Sequence, residues 1–400
     1  MSYNNRTITT TTATATALSI HLCPEFGWTS NTSSQSSASN VVFGPGSVLK
    51  GFVRINTIPS STNNQSSKPD RLSIIFHASE SLLTTPKLDS KHQHEQFFGS
   101  QRVLWINKDG SIPLEEGTEY TFIIQLPMVQ FPPSIEIDNF YRCRFRLSTY
   151  LEGPCSSHNN RLMIAESTFP INYMPHIESR INKELHQKEQ RYILEKSIDD
   201  KKQQQQKFKV QLNALEYIAG DTISPLVYQP FSHRICMELI QEFNIHPQQQ
   251  LQQNNSKAPK TFKRCIVNTE NSLLMELPND LIPSFSFGRM VSVNYKLRIS
   301  FHNKEMCGIS SLILSSLKSS STIILPDIPI QIGTLAYGIK PSDELQIYTV
   351  FKSMFNKQQE PTASLQPLPV PKYISSIEYT DALPLYEDYE LPSYQQVVSV

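Results

Sequence analysis

Two stretches decide how this chain reads: "LPMVQFPPSIEIDNFYRCRFRL" (126–147) and "LPNDLIPSFSFGRMVSVNYKLRI" (277–299). Each runs Leu-Pro, a short gap, Pro-Ser, a second gap, then Tyr at the head of an alternating run. The offset between them is about 150 residues, one domain length. Two copies at so long a period predict tandem related domains and argue against a solenoid.

The alternation inside each copy gives its secondary structure. In "YRCRFRL", Tyr141, Cys143, Phe145 and Leu147 share one face, and Arg142, Arg144 and Arg146 share the other. In "YKLRISF", Tyr295, Leu297, Ile299 and Phe301 stand against Lys296, Arg298 and Ser300. Strict period two means an antiparallel strand with one face buried. "YTFIIQLP" sets Tyr120, Phe122, Ile124 and Leu126 on one face and stops at a proline, as a strand end does. "FGPGSVLKGFVRI" (43–55) is a glycine turn entering a strand with Leu49, Val53 and Ile55 inward. "YIAGDTISPLVY" (217–228) has the same shape. Short strands separated by turn signals predict β-sandwiches. Helical spacing is confined to 177–202, where Ile177, Ile181 and Leu185 recur at i, i+4 and i+8. That segment is mostly charged, so a solvated linker helix is expected there.

These words, in this order and spacing, resemble the arrestin fold. "FGPGSVLKGFVRI", "LEEGTEYTFIIQLPMVQFPPSIE" and "YRCRFRL" are similar to its first domain. "YIAGDTI", "LPNDLIPSF", "VSVNYKLRIS" and "LPDIPIQIGT" (325–334) are similar to its second. The resemblance covers roughly residues 17–335 and implies an all-β chain of two tandem immunoglobulin-like sandwiches followed by a disordered C-terminal tail. The expected division is a disordered 1–16, a first sandwich at 17–173, and a Gln/Lys-rich linker at 174–206. A second sandwich follows at 207–335 and a flexible tail at 336–400. The long linker and the extended loops at 56–70 and 81–96 depart from the family pattern and bear on how the domains are oriented.

The tail ends "DALPLYEDYELPSYQQVVSV" and carries Leu-Pro-x-Tyr twice, at Leu383, Pro384 and Tyr386 and at Leu391, Pro392 and Tyr394. A chance match to the looser word Leu/Pro-Pro-x-Tyr arises in about one such chain in ten. Two within twelve residues are far rarer. The tail resembles the α-arrestin branch, whose Pro-Tyr motifs are held by WW domains in a polyproline II conformation. Leucine replaces the first proline here, which keeps an apolar contact but loses a preformed backbone. Each copy is therefore expected to bind weakly, with duplication raising the local concentration. The upstream "QPLPVPKY" is expected to keep the tail extended and reachable. Tyr394 to Val397 also fits the Tyr-x-x-apolar word of clathrin adaptors, which sits by habit on membrane-spanning cargo. Phosphorylation within "YEDYE" would add charge and block a WW pocket.

The composition excludes other classes. There are 36 basic and 36 acidic residues, so no overall field favours nucleic acid. The six cysteines show no Cys-x-x-Cys, and no metal or cofactor is expected. No phosphate loop, Gly-x-Ser-x-Gly or His-Glu-x-x-His is present, so an enzyme is not expected. His92 and His94 fall in "KHQHEQ" and read as a solvated loop. The N-terminus lacks a basic start followed by an apolar run, and no stretch nears the roughly 18 apolar residues of a membrane span. The expectation is a monomeric cytoplasmic adaptor recruited to plasma membrane or endosomes. It would bind a transporter or receptor, bring a WW-domain HECT-type ubiquitin ligase through its tail, and promote cargo ubiquitination and endocytosis. Lys183, Lys188, Lys196, Lys201 and Lys202 are candidate ubiquitin acceptors, or simply solubilising charge. The alternative is a non-catalytic coat or retromer-type sorting scaffold that needs no ligase. Arg142, Arg144 and Arg146 read as a solvated strand face, or as a patch for phosphorylated tails or acidic lipid heads.

Overall fold

The computed structural model describes residues 17–23, 28–29, 41–58, 68–83, 93–107, 114–137, 140–154, 161–179, 192–199, 205–228, 233–246, 261–270, 272–303, 322–352 and 366–375. The first sandwich contains β1 (Leu18–Leu22), β2 (Trp28–Thr29), β3 (Val41–Phe43), β4 (Val48–Ile55), β5 (Arg71–Leu82), β6 (Gln93–Ile106), β7 (Glu119–Gln125), β8 (Val129–Gln130), β9 (Ile135–Ile137), β10 (Tyr141–Pro154) and β11 (Arg161–Tyr173). The second contains β12 (Tyr192–Asp199), β13 (Gln205–Leu212), β14 (Glu216–Ile218), β15 (Thr222–Ile223), β16 (Leu226–Tyr228), β17 (His233–Ile245), β18 (Thr261–Glu270), β19 (Met275–Glu276), β20 (Val291–Asn303), β21 (Ile323–Ile324) and β22 (Ile328–Gly333). Two short strands follow, β23 (Gln346–Ile347) and β24 (Lys372–Ile374).

The repeat in sequence is a repeat in topology. One sheet of the first sandwich contains the order β3-β11-β10-β5-β6, and one sheet of the second has β14-β22-β20-β17-β18. In both, an early short strand pairs in parallel with the last strand of its sandwich, β3 with β11 and β14 with β22. The opposing sheets are β1-β4-β7-β24 and β12-β13-β16. The chain is thus a tandem of β-sandwiches, and no α-helix occurs among the described residues.

The repeated words have physical jobs. The Pro-Ser serine exchanges two hydrogen bonds with the final strand of its sandwich. Ser134 N donates to Tyr173 O (2.8 Å) and Tyr173 N donates to Ser134 Oγ (2.9 Å). Ser284 N donates to Ile332 O and Ile332 N donates to Ser284 Oγ, both at 2.8 Å. The turn glycines match too: Gly46 and Gly220 both have positive φ, 73° and 87°, where a side chain would be strained. The alternating strands fall as their period dictates. Tyr141, Cys143, Phe145 and Leu147 are buried, as are Tyr295, Leu297, Ile299 and Phe301. Phe145 stacks on Tyr173 with ring centroids 4.4 Å apart and meets Phe97, Phe98 and Phe131 around it.

Three expectations are corrected. The linker helix expected over 177–202 is not seen where that stretch is described: 175–179 runs extended along the second sandwich and 192–199 is β12, while 180–191 lies outside the described residues. Ile177 N donates to Thr334 Oγ1 (2.8 Å), and β12 pairs with β13 from Tyr192 to Asp199. Tyr192 and Leu194 pack on the core at period two. The second sandwich therefore begins well before residue 207. The segment 336–375 is also not uniformly free. Residues 346–347 pair with β8, and Tyr348 is fully buried. "QPLPVPKY" is not a reachable spacer either, because it leads into β24, which adds to the open edge of β7. Tyr373 Oη donates to Ile74 O and Ser100 O (3.2 Å each), and Arg102 holds Ile374 O (3.1 Å). This strap joins the two sheets of the first sandwich. Burial pushes the Tyr373 phenol up in pKa. Tyr373→Phe should weaken the strap by about 1 kcal/mol. Amide exchange at 372–374 would then quicken roughly fivefold, with exchange in β10 unchanged.

Candidate functional site, a basic face on the first sandwich

The outward face of β10 meets the outward faces of β5 and β6. Register sets Arg142 beside Ser81, Arg144 beside Ser79 and Arg146 beside His77. The next strand sets His94 beside Ser81. Together with Leu83 these side chains line a shallow cleft of about 160 Å³. His94 Nδ1 and Ser81 Oγ are hydrogen-bonded at 2.7 Å. His94 is thus a strand residue facing the arginines and not part of a solvated loop. The arginine stripe was legible in the sequence. His77, Ser79, Ser81 and His94 were not, because cross-strand register cannot be read from one strand's alternation.

Two carboxylates act on this face, Glu136 through ion pairs and Glu166 through its pull on His77. Glu136 on β9 pairs with Arg142 (2.8 Å) and Arg144 (2.6 Å). Those arginines, the Arg144 hydrogen bond foremost, hold the Glu136 carboxyl below its usual range. Arg146 forms no ion pair among the described residues. Burial pushes the His77 imidazole down, Arg146 pushes it further, and Glu166 pulls the other way. The face therefore carries surplus positive charge beside the half-buried His77 imidazole.

The same position in the second sandwich is built differently. There Lys263, Lys296 and Arg298 meet Glu242, Glu238 and Asp327. Glu242 takes Lys263 (2.6 Å) and Lys296 (2.8 Å), while Arg298 takes Asp327 (2.9 Å) and approaches Glu238 (3.8 Å). Each cation there has a carboxylate. Burial raises the Glu242 pKa, yet the two lysines outweigh it and hold the carboxyl below its ordinary value. The two repeats thus share a strand face but only the first leaves it unneutralised.

The other sequence-predicted site residues, Leu383, Pro384, Tyr386, Leu391, Pro392 and Tyr394, lie outside the described residues. Among the described residues no group of three or more His, Cys, Asp or Glu side chains could hold a metal ion. No helix there is long and apolar enough to cross a membrane.

No family model matches the chain, and no curated protein matches it in sequence. Among solved structures it is similar to squid arrestin, with 12% identity over 74% of this chain and 92% of that one, at a TM-score of 0.41. A likeness of that size carries no argument by itself, and the tandem architecture stands on the matching strand orders.

The contrast between the two faces has a stability consequence. Glu242→Gln should cost about 1–2 kcal/mol, since it strands two lysines beside a buried group. Because the Glu242 pKa is depressed, that contribution is present above the ordinary carboxylate pKa near 4.5 and is lost as pH falls through the lower folded value. Arg146→Gln should leave thermal unfolding unchanged, as it breaks no pair. Melting curves of both variants at pH 7 and pH 3 would check this.

Proposed function

We propose that this chain is a non-catalytic adaptor. Its sandwiches bind a membrane cargo, and its tail recruits a WW-domain HECT-type ubiquitin ligase that modifies the cargo and sends it to endocytosis. The observation that carries the reading is a duplicated one. A tandem of sandwiches, resembling arrestins in its ordered sequence words, is joined to a tail with two Leu-Pro-x-Tyr words within twelve residues. The adaptor supplies proximity; the chemistry belongs to the ligase.

The basic face supports the cargo half of this reading. Arg142, Arg144 and Arg146 stand at alternate positions of β10, about 6.6 Å apart. That spacing suits an extended acidic or phosphorylated peptide with charges on every second residue. Guanidinium forks grip phosphate through two donors. All three arginines are only partly exposed and line a cleft on the sheet face, which favours a peptide over a flat lipid surface. An anion seated there would raise the depressed His77 pKa, so binding should tighten as pH falls from 7 to 5.5.

Two titrations test the two halves. The full chain should bind a multi-WW ligase fragment in the micromolar range, and Tyr386→Ala with Tyr394→Ala should abolish binding. No binding by the native chain would remove the ligase mechanism and leave a sorting scaffold as the better reading. A phosphopeptide should lose affinity about tenfold or more when Arg142, Arg144 and Arg146 are all changed to Gln. Unchanged affinity would return those arginines to a solvated strand face.

A further inference from the structure

A second polar cluster lies inside the molecule, where the sandwiches meet. Glu80 on β5 has no solvent exposure, yet its carboxylate receives phenols from two directions. Tyr141 Oη, from β10 of the same sandwich, donates at 2.9 Å. Tyr348 Oη, from the turn that follows the second sandwich, donates at 2.5 Å. Tyr348 Oη also accepts from Arg289 N (2.8 Å). The Arg289 guanidinium, from the second sandwich, pairs with Glu95 on β6, donates to Phe351 O (2.6 Å) and lies over the Tyr348 ring at 4.9 Å. The Tyr348 ring packs on Phe97 and Phe131 of the first core. Tyr348 and Arg289 are thus the second half's anchors in the first.

The charges around Glu80 can be named element by element. β6 contributes Glu95, which opposes a second negative charge. β10 contributes Tyr141 and the buried thiol of Cys143. The second sandwich contributes Arg289, and the turn contributes Tyr348. Arg289 is already committed to Glu95, so an ionised Glu80 leaves the cluster with one negative charge too many, buried away from bulk solvent.

The repeat supplies an internal control. Tyr295 heads the second copy of the alternating strand as Tyr141 heads the first. Its buried partner is an amide: Gln241 Nε2 donates to Tyr295 Oη at 2.5 Å, and Tyr295 donates onward to Ile282 O. Gln241 stands opposite Tyr295 as Leu82 stands opposite Tyr141, so the tyrosine's partner differs in position as well as in charge. The position that matches Glu80, opposite the second residue after the tyrosine, is Leu239 in the second copy, buried and apolar.

We propose that the seam between the sandwiches is a proton-operated latch, shut while Glu80 is uncharged and loosened when that carboxyl ionises, with Tyr348 and Arg289 as the parts that withdraw. The proposal rests on the seam alone and stands or falls apart from the adaptor reading. Burial is the main cause that pushes the Glu80 carboxyl up to about 7, against the two phenol hydrogen bonds that lower it. Opening would expose the group to water and return it to an ordinary value near 4.5. Opening therefore releases a proton, and it grows more favourable as pH rises between those two values, levelling off above the upper one.

Hydrogen exchange on the full chain tests this, with rates corrected for the intrinsic pH dependence of exchange. Between pH 5.5 and 8.5, protection at 346–351 should fall about 30-fold in the native chain. Protection in the cores of β10 and β20 should hold. In Glu80→Gln the fall at 346–351 should vanish. Tyr348→Phe removes one donor from the carboxylate, so its transition should move to higher pH; this variant keeps the test open should Glu80→Gln fail to fold. A flat profile in the native chain would overturn the latch. So would an unchanged profile in Glu80→Gln, an unshifted transition in Tyr348→Phe, or a loss of protection shared equally by both cores.

Discussion

In each sandwich one serine and the last strand trade two hydrogen bonds, one through the serine amide and one through its hydroxyl, Ser134 with Tyr173 and Ser284 with Ile332. Much else depends on that exchange. It comes immediately after a proline, which has no donor of its own and so cannot continue a ladder. The serine supplies a hydroxyl acceptor at the point where the chain turns toward the alternating strand. With the last strand fixed there, the short parallel pairs β3–β11 and β14–β22 follow. So does the position of β10 and β20 beside their neighbours. The inward residues of β10 then fill the core, and the outward ones have no choice but to form one basic row.

The two copies use this frame for opposite ends. In the second, every cation on the outward face finds a carboxylate, and the buried tyrosine finds an amide. That is a surface and core settled within themselves. In the first, the outward face keeps more guanidinium than carboxylate, and the tyrosine meets Glu80. Both departures cost folding free energy, through like-charge repulsion on the face and desolvation in the core. Neither is required by the fold, since the sister copy does without them. Local cost without local need is where function concentrates.

What could be read from the sequence follows the range of the interactions. The alternating strands, their faces and the tandem were legible because period two and the repeated Pro-Ser and Tyr positions are local. The arginine row was legible for the same reason. Its histidine and serine neighbours come from β5 and β6, and only register brings them there. Tyr348 meets Glu80 across 268 positions of sequence, and no pattern near either residue announces the other. The strand at 192–199 was misread as helix because its charged residues suit either form and three apolar residues upstream happened to share a helical stripe. The strap was missed because Pro367, Pro369 and Pro371 dominate the eye, while the strand-forming residues Tyr373 and Ile374 come after them.

That strap sets where the rest of the tail begins. A chain free from residue 336 onward would let its end wander over a large volume. Pairing of Lys372–Ile374 with β7 resets the starting point. Leu383 lies nine positions after Ile374, with eight residues between them, so the first Leu-Pro-x-Tyr word can lie no more than about 30 Å from the edge of the first sandwich. On the adaptor reading, a domain caught by that word stays beside the sandwich that carries the basic face. Short tethers give effective concentrations in the millimolar range. A weak handle is then enough, provided the anchor holds. On the same reading, affinity lost where leucine stands in place of the motif's first proline would be offset by a short leash at its root.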